Sequence, residues 1–287
     1  MLIQTQPQTQ VRAAAARDLH KLANLIHFEA YVHRHLDYRP PLDWFGKEPF
    51  LVLEQNQSIV STLACPPDPA PVAWMRLFAA ASRPLAESSW IQLWEEARTN
   101  LRSMEKPRLA AAIPMQSWFE RLVSASGFEQ THRIVMLSWE NRSLPAALPV
   151  EGLNIRPMTL DDLQAVQRVD AAAFPLIWQH SLAYLELAFR QAAVATVAEK
   201  DGDLVGYQIS TGTPIGGHLA RLAVEPDLQH LGIGRVLLHD LLTQFMRRGA
   251  RTVTVNTQKN NSASLKLYRH MGFVLTPEEY PIYQIDL

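Results

Sequence analysis

Two glycines at the end of an apolar run could hold a phosphate. They lie in Gln229-His230-Leu231-Gly232-Ile233-Gly234, between a strand-like stretch and a helix-like one. Glycine lets the backbone turn sharply, and the first N–H groups of a helix have no intrahelical acceptor. Those donors, at the positive end of the helix dipole, suit a phosphate or pyrophosphate. An ordinary strand-to-helix turn can use the same glycines, so the neighbouring chain must choose between the two readings. Two other nucleotide sites fit badly. A dinucleotide-binding turn needs three glycines in a βαβ unit and an acidic residue after the next strand. A Walker loop needs Gly-Lys-Ser/Thr, whereas Gly234 is followed by Arg235-Val236.

The elements around the turn can be read from periodicity. Leu219 to Val224 is apolar and partly β-branched, and Pro226-Asp227 breaks it. Leu237, Leu238, Leu241, Leu242 and Phe245 then recur at helical spacing, predicting a helix to about Arg248 that Gly249 ends. Thr252 to Thr257 alternates like a strand. Asn261 suits an N-cap, and the helix from Ser262 carries Leu267, Tyr268 and Met271 up to Gly272-Phe273.

The chain also repeats itself. Phe50 to Ser61 and Ala195 to Gly206 each read as strand, polar turn and strand, 145 residues apart, with Glu54 facing Glu199. Met75-Arg76-Leu77 faces Ala220-Arg221-Leu222 at the same offset, as does Gly127-Phe128 against Gly272-Phe273. Asp18-Leu19 and Asp162-Leu163 lie 144 apart, each at the start of a predicted helix. An offset held to one residue across a whole half predicts an internal duplication. The join is expected at Asn141 to Pro149, after a polar tail over residues 1–10 and a first domain over 1–145, with the second over 146–287. Strands and helices in this mixed order predict an α/β fold in each half, a sheet covered by helices.

Composition limits the function classes. At 287 residues with 47% hydrophobic and 19% charged residues, the chain reads as a globular protein long enough for two cores. A net charge of −1 argues against a nucleic-acid partner held by a broad basic field. The single Cys65 excludes an internal disulfide and a cysteine-rich metal site, so no metal is expected. The opening MLIQTQPQTQ has no signal-peptide pattern, and no apolar run is long enough for a bilayer. The expectation is a soluble, cytoplasmic protein with no membrane partner.

Taken together, four elements carry a family resemblance. Arg221-Leu222-Ala223-Val224, then Gln229-x-x-Gly232-x-Gly234, then Asn261 ahead of Leu267-Tyr268, then Gly272-Phe273, resemble the GNAT superfamily of N-acetyltransferases. The resemblance spans the second half from near Ile155 to the end. It implies two tandem GNAT-like domains, each a mixed, mostly antiparallel sheet, in a layout similar to that of mycothiol synthase-like enzymes. It also implies acetyl-CoA as acyl donor. The amides of Gln229, His230, Leu231, Gly232, Ile233 and Gly234, with Arg235 beside them, would hold its pyrophosphate. Leu222, Ala223 and Val224 would bond the pantetheine arm, and an N–H near Val224 would polarise the thioester carbonyl. Asn261 would lie beside the same arm while also capping its helix.

Tyr268 would protonate the departing thiolate, or else pack its ring in the core. For the base, Asn256 occupies the place where some relatives carry a carboxylate, and Asn takes no proton. Glu225 and His218, at either end of the preceding strand, are the alternatives. Trp178, His180 and Tyr184, with Tyr280 and Tyr283, would line or close an acceptor cleft, or else belong to the core.

Carried back by 145 residues, the glycine turn falls on Pro84 to Ser89, without glycine and with Glu87; Asn261 falls on Gln116 and Tyr268 on Val123. The first half is therefore expected to keep its packing without a cofactor site. The function expected is acetyl transfer from acetyl-CoA to a primary amine of a small molecule or peptide, in the second half. The alternative is a non-catalytic acyl-CoA-binding or protein-interaction protein. Acceptor identity and oligomeric state are not legible.

Overall fold

The computed structural model describes residues 9–140, 144–146 and 149–287. Residues 1–8 of the predicted tail, and 141–143, 147 and 148 of the predicted linker, lie outside the described residues. Thr9 and Gln10, placed in the tail by their polarity, instead begin a strand.

Up to the middle of the chain the elements are β1 (Thr9–Ala13), α1 (Leu19–Phe28), β2 (Tyr31–Arg34), β3 (Phe50–Gln55), β4 (Ser58–Ala64), β5 (Val72–Trp74), β6 (Leu77–Ala80), α2 (Arg83–Ser103), β7 (Leu109–Ala112), α3 (Ser117–Ala125) and β8 (Glu129–Glu140). Then follow β9 (Leu153–Pro157), α4 (Leu163–Ala173), α5 (Leu182–Arg190), β10 (Val194–Lys200), β11 (Asp203–Thr213), β12 (Gly216–Val224), α6 (Ile233–Arg247), β13 (Thr252–Gln258), α7 (Ser262–His270) and β14 (Val274–Asp286). Among the described residues no helix is long and apolar enough to cross a membrane.

The chain forms two compact units, and their limits depart from the linear division at 145. One unit takes the residues up to Thr131 together with Pro281–Leu287; the other is His132–Tyr280. The physical reason is strand pairing. In the first unit the end of β14 lies antiparallel to β7, with Tyr283 opposite Ala112 and Asp286 opposite Leu109. In the second unit β8 lies antiparallel to β13, with Val135 opposite Thr257 and Trp139 opposite Val253. Val135, Leu137 and Trp139 are buried in the second unit's core, and Tyr283 is buried in the first unit's. Each half of the sequence thus gives the end of its final strand to the unit built by the other half, while Val274 to Tyr280 of β14 stay in the second unit.

The duplication is visible as a repeated ion network. Arg12 reaches Asp18 at 2.6 Å and Glu54 at 2.7 Å; Arg156 reaches Asp162 at 2.7 Å and Glu199 at 2.6 Å. In both units the arginine on the first strand joins the start of the first helix to the hairpin, which explains why those acidic residues recur at the offset.

The second unit's sheet runs β9-β10-β11-β12-β13-β8. Its neighbours are antiparallel except β12 and β13, which are parallel. Leu237, Leu238, Leu241, Leu242 and Phe245 of α6 are buried, as their spacing predicts. Phe245 lies so close to β12 that a Cβ on Gly217 would stand 2.5 Å from its ring, so only glycine fits there. Gly249, with φ +79, follows the helix C-cap Arg248 as predicted.

One departure from regular pairing creates the site. β12 and β13 pair only from Gly216 to Leu219 against Thr252 to Val255. Beyond that, β12 stays on β11 as far as Val224, and β13 stays on β8 as far as Gln258. The two strands therefore part into a fork whose inner edges carry unpaired backbone groups. In the first unit β5 and β7 are likewise parallel, from Val72 to Trp74 against Leu109 to Ala111, while β6 pairs with β4 and β2.

Candidate functional site

The fork of the second unit opens into a cleft of about 570 Å³. One wall is Leu222, Ala223 and Val224 of β12, and a second is the turn with Gln229, His230, Gly232, Ile233, Gly234 and Arg235. Asn261, Ser264 and Leu267 at the start of α7 face them, and Phe174, Pro175, Trp178 and His132 close the far side.

Chain alternation points the inner edge of β12 into this space. The Glu225 N–H donates to the Val205 carbonyl of β11, so the N–H of Val224, one residue earlier, points away from β11 toward the fork. The Val224 carbonyl accepts from the Gln229 side chain at 3.1 Å, which ties the turn to the strand.

The turn is a cradle of amides. His230 and Gly232 both adopt left-handed conformations, with φ +65 and +91, and Gly232 is the residue before α6. Alternating conformations of this kind turn successive N–H groups to one side and make a concave anion site. Among the described residues, the N–H groups of Gly232, Ile233 and Gly234 have no protein acceptor; that of Arg235 returns to the Gly232 carbonyl at 3.0 Å. A Cβ on Gly234 would meet Leu222 and Leu267 at ordinary contact distances, 3.6 and 3.5 Å, and so would occupy the cleft they line. The left-handed His230 was not read from the sequence, because positive φ is uncommon at any residue with a Cβ, even histidine, which is enriched there.

The structure brings most of the residues expected to bind acetyl-CoA together: Leu231 and Tyr268, also expected beside the cofactor, are not among the cleft-lining residues, Leu231 being exposed and Tyr268 buried. Asn261 has both expected positions. It lines the cleft, and its Oδ1 accepts from the Ser264 N–H at 3.0 Å as the cap of α7.

The residues expected to move protons are placed differently. Tyr268 is buried, its ring 5.7 Å from that of Phe273, and it is not among the cleft-lining residues. Burial raises its phenol above the usual value, opposed by a hydrogen bond with Ser264, which does line the cleft. His218 stands at the closed end of the fork, its Nδ1 2.8 Å from the Thr254 hydroxyl, and burial lowers its pKa. Glu225 follows the end of β12 and does not line the cleft.

The aromatic candidates divide. Trp178 lines the cleft, together with Phe174 from the same stretch. The rings of His180 and Tyr184 meet at a tilt, centroids 4.4 Å apart, and neither residue is among the lining residues. Tyr280 is likewise absent from the lining. Tyr283 belongs to the first unit, where its hydroxyl meets Glu120 at 3.0 Å, so its strand takes it into another core. His132 was missed. It reaches the cleft, edge-on to Trp178 at 6.0 Å, because β8 pairs with β13. Its position lies in the half of the sequence expected to lack a site, so local spacing could not have found it.

The first unit's counterpart of the cleft is filled. At an offset of 145, the cleft-lining Ala223, Arg235, Ala263 and Ser264 correspond to Phe78, Trp90, Trp118 and Phe119. These four rings pack on one another, Phe78 to Trp90 at 5.2 Å and Trp90 to Phe119 at 5.4 Å. No turn intervenes either. Pro84 to Ser89 are already within α2, capped by Ser82, and Glu87 pairs with Arg83 at 3.4 Å. Val123 is buried in the same core.

Comparison with known proteins agrees with this geometry. Residues 163–273 match the acetyltransferase (GNAT) family. The putative ribosomal protein bS18-alanine N-acetyltransferase of Bacillus subtilis is 25% identical over 118 residues, 41% of this chain and 78% of that protein. The mycothiol acetyltransferase of Thermomonospora curvata is 30% identical over 192 residues, 63% of this chain and 62% of that protein. Among solved structures, a tandem GNAT protein from the clavulanic acid biosynthesis pathway aligns with a TM-score of 0.63 and 16% identity, over 98% of both chains. At that identity the likeness is one of fold, a tandem arrangement of two such domains.

Proposed function

We propose, from the match of residues 163–273 to the acetyltransferase (GNAT) family, that this protein transfers an acetyl group from acetyl-CoA to a primary amine of a small molecule or peptide, by direct attack in the second unit's cleft. The observation that carries the reading is the fork of β12 and β13 beneath a turn whose amides lack acceptors.

The cradle at Gly232 to Gly234, with Arg235 beside it, suits the pyrophosphate, since oriented N–H groups and the helix dipole both favour an anion. The inner edge of Leu222 to Val224 suits the amide-containing pantetheine arm, which can pair with a strand edge as another strand would. The Val224 N–H then faces the thioester carbonyl and stabilises the charge that develops on its oxygen. Attack forms the nitrogen–carbon bond, and the carbon–sulfur bond breaks as the oxyanion collapses. The nitrogen loses a proton to a base, and the thiolate gains one from an acid.

Neither His218 nor Glu225 is among the cleft-lining residues, and the base we propose, acting through a water, is His218. It lies at the closed end of the fork, and burial keeps its imidazole neutral near pH 7, the form that accepts a proton. Thr254 fixes its orientation. Tyr268 is the proposed acid, a phenol held protonated by burial and linked through Ser264 to the cleft.

The burial of Tyr268 also supports a second reading, a protein that binds acyl-CoA without transferring it. Calorimetry with acetyl-CoA, on the wild type and on Gly232→Glu with Gly234→Glu, tests the site; radiolabelled acetyl-CoA with glucosamine, glycylglycine and spermidine tests transfer. One saturable site lost in the double variant, with label reaching at least one amine, is expected. Two equal sites would give the first unit a cleft of its own. Binding without transfer to any amine would favour the second reading.

A further inference from the structure

The two walls of the cleft are joined by one part-buried guanidinium. Arg221 immediately precedes Leu222 on β12, and its Nε and Nη2 donate to Asp170 of α4 at 3.0 and 2.8 Å. Nη2 also donates to the Trp178 carbonyl. The Phe174 ring lies over the guanidinium, 3.5 Å from ring centroid to Cζ. Asp170, fully buried, accepts in addition from the His180 N–H at 3.0 Å and the Tyr207 hydroxyl at 2.9 Å.

Phe174, Trp178 and His180 among those partners lie along one segment, and Phe174, Pro175 and Trp178 are its cleft-lining members. The opposite wall begins one residue after Arg221. A planar guanidinium can pair bidentately with a carboxylate, reach a carbonyl and stack on a ring with its donors in a fixed fork; an ammonium has three donors but neither that fixed geometry nor a plane to stack. We infer that Arg221 is a positioning residue that sets the aromatic wall at a fixed distance from the β12 edge and thereby determines how an acceptor amine is held. The inference rests on the acetyl-transfer reading above. It takes the segment from Phe174 to Trp178 as bordering the acceptor, as that reading implies, and leaves acetyl-CoA to β12, the turn and α7.

The duplication supplies a matched control. Arg76, at the offset of 145, is buried, donating to Asp37 at 3.0 Å and stacking on Trp44 at 4.4 Å. It lies in the unit whose cleft positions are filled by rings, so its loss touches stability alone.

The test compares Arg221→Lys, Tyr207→Phe and Arg76→Lys in the full chain. Three quantities are read: the acetyl-CoA dissociation constant, the KM of whichever of glucosamine, glycylglycine and spermidine reacts fastest, and hydrogen exchange at the His180 amide. Arg221→Lys is expected to raise the amine KM about tenfold while the acetyl-CoA constant moves less than about threefold, with faster exchange at His180. Tyr207→Phe, which removes one donor to Asp170, should shift the same two quantities in the same direction by less. Arg76→Lys should lower the melting temperature and leave the ratio of the two constants unchanged. Arg221→Lys behaving like Arg76→Lys, or moving both constants in proportion, overturns the inference. If Arg221→Lys fails to fold, Tyr207→Phe decides by the same ratio. If no amine reacts, the acetyl-transfer reading fails while the exchange at His180 still decides whether Arg221 holds the wall.

Discussion

The Nδ1 of His218 stands 2.8 Å from the Thr254 hydroxyl, across β12 and β13, one residue before the last pair that joins the two strands. The contact holds the imidazole in place where the sheet begins to open. A general base here has to be neutral, oriented and near the gap; burial lowers the His218 pKa and Thr254 holds its ring, while His218 itself is not among the cleft-lining residues. His218→Gln should lower kcat by about 10²-fold, with acetyl-CoA affinity little changed. Because burial lowers the histidine, the wild-type rate should fall on acidification only below the ordinary histidine range. A kcat–pH profile of both proteins checks this, and an unchanged acidic limb in His218→Gln would remove the residue from the mechanism.

Tyr268→Phe keeps the ring against Phe273 and removes only the hydroxyl. Turnover should fall by about 10²-fold while calorimetric binding of acetyl-CoA stays the same. Equal turnover in the two proteins would leave Tyr268 as a core side chain.

Gly232→Ala places a Cβ on a residue with φ +91. The strain should cost about 1 kcal/mol of stability and loosen the amide cradle. Gly234→Val instead fills the space between Leu222 and Leu267, and should weaken acetyl-CoA binding with a smaller effect on melting. Calorimetry and thermal melts of the two variants separate backbone strain from occupation of the cleft.

The exchanged strands make a prediction about fragments. A chain of residues 146–287 lacks Val135, Leu137 and Trp139, each buried in the second unit. Each such side chain is worth about 1.5–3 kcal/mol of burial, and β13 would also lose its antiparallel neighbour. That fragment should show no cooperative melt, whereas residues 132–280 should melt cooperatively and bind acetyl-CoA. A cooperative transition in the fragment that starts at 146 would contradict a second unit that begins at His132.

Acid should weaken the first unit through its buried histidines. His33 is fully buried, and burial lowers its pKa to about 4, against a contribution from the Met75 carbonyl that raises it. Unfolded, it titrates near its ordinary value of 6.5. Between these values the unfolded chain binds a proton that the folded chain does not. Stability is therefore complete above pH 6.5 and declines as pH falls toward 4, by on the order of 3 kcal/mol for this group. His35 is lowered in the same direction by burial and by Arg76. Urea midpoints at about pH 7 and pH 4.5 measure the loss, and His33→Asn should reduce it.

Much of this was present in the order of residues. The α6 stripe, the Asn261 cap, the Gly249 stop and the glycine turn depend on contacts within a few residues, so periodicity and capping rules reach them. The duplication was legible because Arg12, Asp18 and Glu54 recur as Arg156, Asp162 and Glu199, and that network is rebuilt in each unit. That the first half carries no glycine where the second half has its glycine turn was legible. That four rings, Phe78, Trp90, Trp118 and Phe119, fill the first unit's counterpart of the cleft was not, since they are spread over three elements that meet only after folding.

What the fold alone decided is which partner each strand takes. An edge strand pairs with whatever complementary edge lies beside it, and nothing in β8 or β14 encodes that choice locally. Pairing of β8 with β13 brought His132 into the cleft, and pairing of β14 with β7 took Tyr283 into the other core. The Arg221 and Asp170 pair, 51 residues apart in sequence, is of the same kind. A residue's type states what it can donate or accept; its neighbour across the fold determines what it holds.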